Sequence, residues 1–486
     1  MTKEPEPSDS LSLQASGYTE KGVTAHVENE KLVKRYSPLS VIAFAFTTTN
    51  SWVAFGSGLA VPLACGGGPG LIYGLIAAGV VMAVIGVGFA ELASAAAFVT
   101  AWLTIIYIMA ALASCNFFVA SSILDLVTLW HPSYEAEAWQ TYLLHILLCI
   151  VGFVATSLYP TAIGRLGITV FWLSLAGFVA SLATILAVSE KKQPGSVVFQ
   201  DYQNASGWSD GWAFFMAITG CLWAYSGVDG PTHLAEEVHN PSRNVPIAIF
   251  LTIGLGIITV LAWNIALMFV VVDVGAIIES TVPILEVYNQ ALNSRVATTI
   301  WTVYYIVMFY EIVLNLFIFG GRTVWSLSRD GGVPFSKFVL HLNNASPVRA
   351  TAVILALEIV VGVLYVASTT AYTSFINLTL FALNITVVVP QAVLLFRGRA
   401  CLPERAFSLG KLGYPINALA TLFLVFSSVT LCFPSFAHPT SSSMNYLIVV
   451  AAVGVALITA FWWGGLRDRF TGPSVHISRE PAEQDI

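Results

Sequence analysis

Residues 211–246 read GWAFFMAITGCLWAYSGVDGPTHLAEEVHNPSRNVP, and the predicted architecture rests on this segment. It begins as an apolar helix, breaks at residues 226–231 (SGVDGP) and ends in a polar run that closes on Pro246. A helix that breaks inside a lipid bilayer frees backbone N–H and C=O groups, which is tolerated only where protein or a water-filled cavity satisfies them. We therefore expect the functional site in a cavity at this break.

The composition indicates a polytopic membrane protein. Only 10% of the 486 residues are charged, whereas 57% are hydrophobic and 12% are aromatic. The net charge of −6 comes with no basic stripe, so no nucleic-acid partner is expected. The six cysteines lie far apart without C-x-x-C spacing or a clustered histidine partner, so the sequence predicts no metal site and no cofactor.

Apolar runs of about 20 residues, the length that spans a bilayer, predict an all-α protein with twelve transmembrane helices. The predicted spans are 39–64, 70–92, 102–129, 140–159, 166–188, 211–235, 246–272, 297–321, 350–368, 372–396, 412–434 and 444–463.

Charge bias in the short loops predicts the orientation. With the N-terminus in the cytoplasm, every Lys and Arg lies on the inner side except Lys191, Lys192 and Arg295. We predict a disordered cytoplasmic tail over residues 1–36, a transporter domain over 37–465 and a cytoplasmic C-terminal tail over 466–486.

A second break is predicted in the first span, at Gly56-Ser57-Gly58. Glycine costs about 1 kcal/mol in a helix interior relative to alanine, so two glycines beside a serine indicate unwinding. The alternative is close helix packing through small residues. Breaks in spans one and six, five helices apart and therefore antiparallel, predict an inverted repeat of five plus five helices, followed by two extra helices, with the substrate site between discontinuous helices 1 and 6.

Four motifs resemble the fungal amino acid/choline transporter family of the amino acid, polyamine and organocation superfamily. The most specific is HLAEEVHNPSRNVP at residues 233–246, and the resemblance runs from about residue 36 to about residue 465. The other motifs are NSW at 50–52 with the G-S-G break, AELASA at 90–95, and RTVWSLSRDGGVPF at 322–335. The chain departs from the family after Ala95, where a short link to Trp102 replaces a longer polar connection.

The resemblance implies a secondary transporter, proton-coupled, for amino acids, 4-aminobutyrate, choline or related amines. It also implies a location in the plasma membrane, although a vacuolar location would need no different residues. The expected partners are a small-molecule substrate, the proton and the lipid bilayer.

Residues at the two breaks are the candidates for substrate binding. Three aromatic residues precede the breaks and could hold an ammonium group by cation–π attraction, while packing in the core is the alternative for each. The full candidate set is Phe55, Gly56, Ser57, Gly58, Trp223, Tyr225, Ser226, Gly227 and Asp229.

Asp229 has two competing roles. A carboxylate within the membrane is costly unless it is paired, hydrated or bound to a cation, so Asp229 could attract a substrate amine or the coupling proton. It could instead cap the second half-helix, since Pro231 stands where a helix begins. The sequence slightly favours the cap.

Glu311 and Asn315 form the predicted proton-coupling pair, one helical turn apart in span eight. An intramembrane carboxyl group is a functional candidate by default, and the alternative is a neutral structural role. Glu358 in span nine is interpreted as structural.

Charged residues at two inner corners predict a cytoplasmic gate. Four such residues follow the break in span six, namely Glu236, Glu237, His239 and Arg243, and three follow span eight, namely Arg322, Arg329 and Asp330. The alternative is that these are solvated loop charges that obey the positive-inside bias. That alternative leaves the paired glutamates unexplained.

The sequence thus predicts a transporter that moves a small amine-bearing solute by alternating access. An exporter of a nitrogenous metabolite and a non-transporting receptor or inactive homologue are the alternatives. An enzyme is not expected, because no Ser-His-Asp, His-rich or paired-carboxylate arrangement stands out at helical spacing.

Overall fold

The computed structural model describes residues 32, 34–91, 98–343, 346–399, 407–441 and 443–472. Most of both predicted tails, and residues 95–97 of the short link after Ala95, lie outside this part of the chain.

Apart from two isolated β-bridges, the regular secondary structure of the described chain is helical. Its α-helices are α1 Pro38–Thr49, α2 Ser51–Ala54, α3 Ala60–Ala64, α4 Gly67–Ala90, α5 Phe98–Trp130, α6 Ala138–Leu158, α7 Pro160–Val188, α8 Gly195–Phe199, α9 Asp210–Cys221, α10 Gly230–His233, α11 Pro241–Val270, α12 Val274–Glu279, α13 Pro283–Leu292, α14 Arg295–Arg329, α15 Ser336–Val339, α16 Val348–Ala367, α17 Thr369–Arg397, α18 Gly413–Leu431 and α19 Leu447–Phe461.

Eleven helices of the described chain are long and apolar enough to cross a membrane. They correspond to the predicted spans other than 211–235. That span contains no helix of sufficient length, because its longest helix, α9, has only 12 residues. The chain is therefore an all-helical polytopic membrane protein with eleven candidate spans, and the interrupted twelfth crossing stays a prediction.

The first span is interrupted over a longer stretch than the sequence predicts. Helix α1 ends at Asn50, which adopts the left-handed conformation with φ 30°. After α2, the backbone tightens into a 3-10 turn at Phe55–Ser57 before α3 begins. The glycine pattern indicated only the second of these interruptions. Asn50 is the other, because asparagine is among the few residues that enter the left-handed region at low cost.

The sixth span is divided into four short helical pieces. Helix α9 is followed by a 3-10 turn at Leu222–Tyr225, a non-helical turn over 226–229, the single-turn helix α10 and a 3-10 turn at Ala235–Glu237. Gly227 in the non-helical turn has φ 89°, which L side chains rarely adopt. The break thus lies where the sequence places it.

Replacing Gly227 tests how rigidly the break is built. An added Cβ would lie 3.2 Å from the Thr48 side chain, and the left-handed backbone adds strain. We expect Gly227→Ala to destabilise the protein by about 1–3 kcal/mol and to lower its melting temperature in detergent. The matched control is Gly254→Ala in α11, where nothing lies within 4 Å of an added Cβ. Equal melting temperatures for the two variants would contradict this account.

The two interrupted segments lie against each other. The Trp223 indole N–H donates a hydrogen bond of 3.0 Å to Ser57 Oγ, so the two breaks are in direct contact. Long helices surround them, and peripheral helices such as α19 expose apolar side chains along most of their length, as lipid-facing helices do.

Candidate functional site

Two cavities open near the breaks. The outer cavity has a volume of about 460 Å³ and lies toward the predicted extracellular end. Ser57, Gly58 and Trp223 line it, so residues from both breaks contribute to its wall. No Asp, Glu, Lys, Arg or His is among its described lining residues. Its aromatic lining comprises Phe117, Phe118, Trp223, Tyr365, Tyr372 and Phe433.

Three predicted substrate residues lie in the packed interior instead. Phe55 and Tyr225 are fully buried and line neither large cavity, although Tyr225 lines a smaller cavity of about 30 Å³. The Tyr225 hydroxyl donates a hydrogen bond to the carbonyl oxygen of Leu75 at 3.2 Å. An added Cβ on Gly56 would overlap the Tyr305 hydroxyl. These contacts match the packing alternative, whereas Trp223 is the pre-break aromatic residue that faces the outer cavity.

The inner cavity has a volume of about 390 Å³ and lies toward the predicted cytoplasmic end. Asp229 and His233 line it, together with the charged residues Glu236, Glu237, Arg322, Arg329 and Asp330. The smaller cavity of about 30 Å³ shares Leu380 with the outer cavity and Phe89, Asp229 and Val387 with the inner one. Ser226 also lines this smaller cavity. The smaller cavity, which is lined mainly by apolar residues, therefore lies between the two larger cavities.

Asp229 occupies the N-cap position of α10, but its side chain makes no capping hydrogen bond. The predicted capping role is therefore wrong. The Tyr107 hydroxyl of α5 donates a hydrogen bond to Asp229 Oδ2, and His233 Nε2 lies 3.1 Å from the same oxygen. Asp229 Oδ1 is buried without a partner. The cap fails because Asp229 Oδ2 bonds to the side chains of Tyr107 and His233 instead of to a backbone N–H of α10.

His233 extends this network to α14. Its Nδ1 lies 3.2 Å from the Thr323 hydroxyl, so Tyr107, Asp229, His233 and Thr323 form a continuous hydrogen-bonded chain, and all but Tyr107 line the inner cavity. The sequence did not single out Tyr107 or His233 for this role. The spacing of Asp229 and His233 by four residues was the available signal.

Two ion pairs join the sixth span to α14 at the inner end. Arg322 pairs with Glu237, and their side chains are only 10% and 1% exposed. Arg329 pairs with Glu236 at 2.9 Å, and those side chains are 29% and 46% exposed. The predicted gate residues thus meet across the two segments.

Arg243 does not join this group. It lies exposed in the first turn of α11 and forms no ion pair within the described part of the chain. Asp330, which the sequence also placed at the inner end after span eight, lies 3.6 Å from Arg329 Nε. Burial raises the pKa of Asp330, and the nearby Arg329 guanidinium opposes that shift.

A backbone segment before α1 closes over the buried pair. The amide groups of Arg35 and Tyr36 donate to the Glu237 carbonyl oxygen at 2.9 and 3.1 Å. Tyr36 and Val238 form a parallel bridge there. Movement of the sixth span at this end therefore requires the segment before α1 to release Glu237.

Glu311 and Asn315 are placed away from both large cavities. Asn315 donates a hydrogen bond of 3.1 Å to Thr47 Oγ1 of α1, and Glu311 Oε1 is buried without a partner. Neither residue lines the outer or the inner cavity. The pair therefore joins α14 to the first span rather than facing the solute path.

The sequence did not predict a further ion pair, which lies at the ends of two other helices. Glu91 after α4 bonds to Arg399 after α17, and the Leu409 amide donates to Glu91 Oε1 at 3.2 Å. Glu91 was visible in the sequence as one of very few charges in a long apolar run, but its partner is 308 residues away.

A family model described as amino acid permease matches residues 36–454. The chain belongs to the amino acid permease family. The resemblance carried by the sequence motifs is thereby confirmed, and this permease is a membrane transporter rather than an enzyme.

Curated relatives match nearly the whole permease. It is 28% identical over 475 residues to the choline transporter of Saccharomyces cerevisiae, covering 91% of this chain and 83% of that one. It is 26% identical over 436 residues to a putative amino acid/polyamine transporter of Macrophomina phaseolina, covering 84% of this chain and 96% of that one.

Among solved structures, the permease resembles Mhp1, a nucleobase-cation-symport-1 family transporter in a closed conformation with bromovinylhydantoin bound. The TM-score is 0.52 at 13% identity, covering 85% of this chain and 98% of Mhp1. This likeness concerns the fold alone.

Proposed function

We propose that this permease is a secondary transporter of a small amine-bearing solute, coupled to protons and working by alternating access between the two large cavities. The observation that carries the proposal is the outer cavity, which residues from both breaks line together with six aromatic side chains. The proposal includes twelve crossings arranged as an inverted repeat with two extra helices, and it is supported by the contact between the two broken segments.

The lining of the outer cavity favours a solute that carries an ammonium group. Aromatic faces attract ammonium groups by roughly 0.5–2 kcal/mol each, and more strongly in a site that excludes water. With no fixed charge on its described lining, the cavity would hold a cation by these faces and by hydroxyl groups such as Ser57. We therefore rank a choline-type amine first. The relative named as a choline transporter supports this order.

An amino acid substrate is the second candidate. Its carboxylate would need the backbone N–H groups at a half-helix N-terminus, because no arginine or lysine is among the described lining residues of the outer cavity. The 3-10 turn at Phe55–Ser57 and the non-helical turn over 226–229 leave such groups free of α-helical bonding. One relative is named a putative amino acid/polyamine transporter, so amino acids are included in the uptake assay.

The charged residues of the inner cavity supply the proton and gating parts of the proposal. The carboxyl group of Asp229 and the imidazole of His233 can each hold a proton where the break meets the cavity. The pairs Glu237–Arg322 and Glu236–Arg329 hold the sixth span against α14, so they must separate before the inner end opens. The proposal also includes a location in the plasma membrane.

Uptake of labelled choline, 4-aminobutyrate and a mixed amino acid set into transporter-deficient cells tests the function. We expect uptake of one amine, and we expect Trp223→Ala to raise its KM by about 2- to 30-fold through loss of one cation–π contact. Trp301→Ala is the matched control, because Trp301 is half-buried against Tyr288 and Tyr304 and lines neither cavity. A fluorescent fusion reports arrival at the cell surface.

Two outcomes would contradict the proposal. Surface protein that binds choline without moving it would indicate a receptor, and loss of preloaded amine from cells would indicate an exporter. Equal KM values for Trp223→Ala, Trp301→Ala and the unmodified protein would show that the substrate does not bind in the outer cavity.

A further inference from the structure

Three ligand-type side chains converge in the membrane interior away from the solute path. His145 and Cys149 lie one turn apart on α6, and Glu358 faces them from α16. All three are fully buried, and their potential ligand atoms lie within 4.8 Å of one another. None of them lines either large cavity.

Glu358 adds a free-energy cost to the cluster when no ligand is bound. Both of its carboxylate oxygens are buried without a hydrogen-bond partner in the described structure. An unpaired carboxyl group in a membrane-spanning segment costs several kcal/mol, because neither water nor a counter-charge stabilises it. A group that accepts electron pairs from both oxygens, or neutralises them, is the missing partner.

We propose that His145, Cys149 and Glu358 bind a divalent transition-metal ion of the Zn²⁺ class. Imidazole, thiolate and carboxylate are the three ligand types that zinc takes from proteins. A thiolate, a carboxylate and a neutral imidazole together carry the two negative charges that balance the ion. The loaded site is therefore neutral, which suits the interior of a membrane protein.

The geometry of the helical pair fits tetrahedral coordination. Cys149 Sγ lies 3.5 Å from His145 Nε2, which also lies 3.2 Å from the backbone carbonyl oxygen of Glu358. A bound ion would replace that contact with the carbonyl oxygen. A tetrahedral zinc ion with Zn–S of about 2.3 Å and Zn–N of about 2.0–2.1 Å separates Sγ and Nε2 by about 3.5 Å. The carboxylate of Glu358 supplies the third ligand from the neighbouring helix and leaves a fourth position open.

Asn116 of α5 is suited to orient the ligands. Its Nδ2 lies 3.0 Å from His145 Nδ1 and 3.0 Å from Cys149 Sγ, and its Oδ1 has no partner. The Asn116 Nδ2–H group that points at Cys149 Sγ would help to orient a metal-bound thiolate.

The site would join α6 to α16 and support the wall of the outer cavity. Phe117, which lines that cavity, stacks on the His145 ring with the ring centres 4.2 Å apart. Because the cluster is enclosed, the ion must enter during folding and exchange slowly afterwards. A structural role follows, since Glu358 and its partners do not touch the proposed solute path.

Metal analysis of the purified full chain tests the proposal. We expect about one zinc ion per chain in protein purified without chelators, and loss of most of it in Cys149→Ser and Glu358→Gln. Cys221→Ser, which alters another buried free cysteine, should keep the metal. Protein produced in cells grown with Co²⁺ should show a thiolate-to-cobalt charge-transfer band that Cys149→Ser abolishes.

Metal analysis of the unmodified protein tests the proposal even where a variant fails to fold. Folded, monodisperse protein with neither zinc nor a cobalt–thiolate band would overturn the proposal. Zinc retained at the same ratio in Cys149→Ser and Glu358→Gln would overturn it as well. Both readouts are independent of transport, so a failed uptake assay leaves this inference standing.

Discussion

Asp229→Asn is expected to reduce proton-driven uptake by about 5- to 150-fold, the range that coupling free energies between two sites usually span. The variant keeps the size of the side chain but removes the group that accepts a proton between Tyr107 and His233. Uptake by the unmodified protein should rise between about pH 7.5 and about pH 5. The remaining uptake of the variant should be nearly independent of pH.

The sign of this pH dependence follows from the coupling itself. At acid pH the external proton concentration is higher, so a carrier that must load a proton with its solute turns over faster inward. Asparagine cannot load that proton, so external acidification no longer drives the step. Initial uptake rates at the two pH values, corrected for surface protein, measure the effect.

Two matched variants separate coupling from general damage to the membrane domain. Asp125→Asn makes the same chemical change in α5, at a residue that lines neither large cavity, and should keep both rate and pH profile. Glu311→Gln tests the proton role predicted from sequence. If Glu311→Gln removes the pH dependence of uptake while Asp229→Asn keeps it, the coupling proton binds at Glu311 of α14. The assignment of that proton to Asp229 would then be wrong.

Tyr107→Phe gives an intermediate test of the same network. It removes the hydroxyl that donates to Asp229 but leaves the carboxylate in place. Because Tyr107 positions the acceptor without carrying the proton in this proposal, the variant should shift the pH profile while uptake remains measurable.

Hydropathy and glycine placement predicted most of the architecture from sequence. Eleven apolar runs became long helices because a membrane interior requires every backbone group to be bonded within its own segment. The break around Gly227 was predictable, since a glycine and a proline four residues apart cannot continue an apolar helix smoothly. Asn50 was missed because no glycine or proline stands beside it to indicate the interruption.

The site was less predictable, because its contacts join residues that are distant in sequence. The hydrogen bond from Tyr107 to Asp229 crosses 122 positions, and the pair Glu91–Arg399 crosses 308. The local sequence predicted a capping role for Asp229, but its carboxylate bonds to Tyr107 and His233 instead. The opposite charges of Glu237 and Arg322 were predictable as a pair, because both follow broken or terminating spans on the same predicted side.

Glu237→Gln is expected to destabilise the protein by about 3–5 kcal/mol, because it leaves the Arg322 guanidinium nearly buried without its counter-charge. The neighbouring change Glu236→Gln should cost only about 0–1 kcal/mol, since the pair Glu236–Arg329 is partly exposed to solvent. The two variants make the same chemical change one residue apart. Melting temperatures in detergent should therefore fall clearly for Glu237→Gln and hardly at all for Glu236→Gln.

The double variant Glu237→Gln with Arg322→Gln separates charge pairing from simple packing. Removing both charges eliminates the unpaired group, so the double variant should melt above Glu237→Gln, with a coupling free energy of about 0.5–3 kcal/mol between the two positions. Without this bond the inner end should open more readily, and a thiol reagent should label Thr232→Cys in the inner cavity faster than in the unmodified background. Additive effects of the two single changes, with unchanged labelling, would show that the pair does not act as the inner gate.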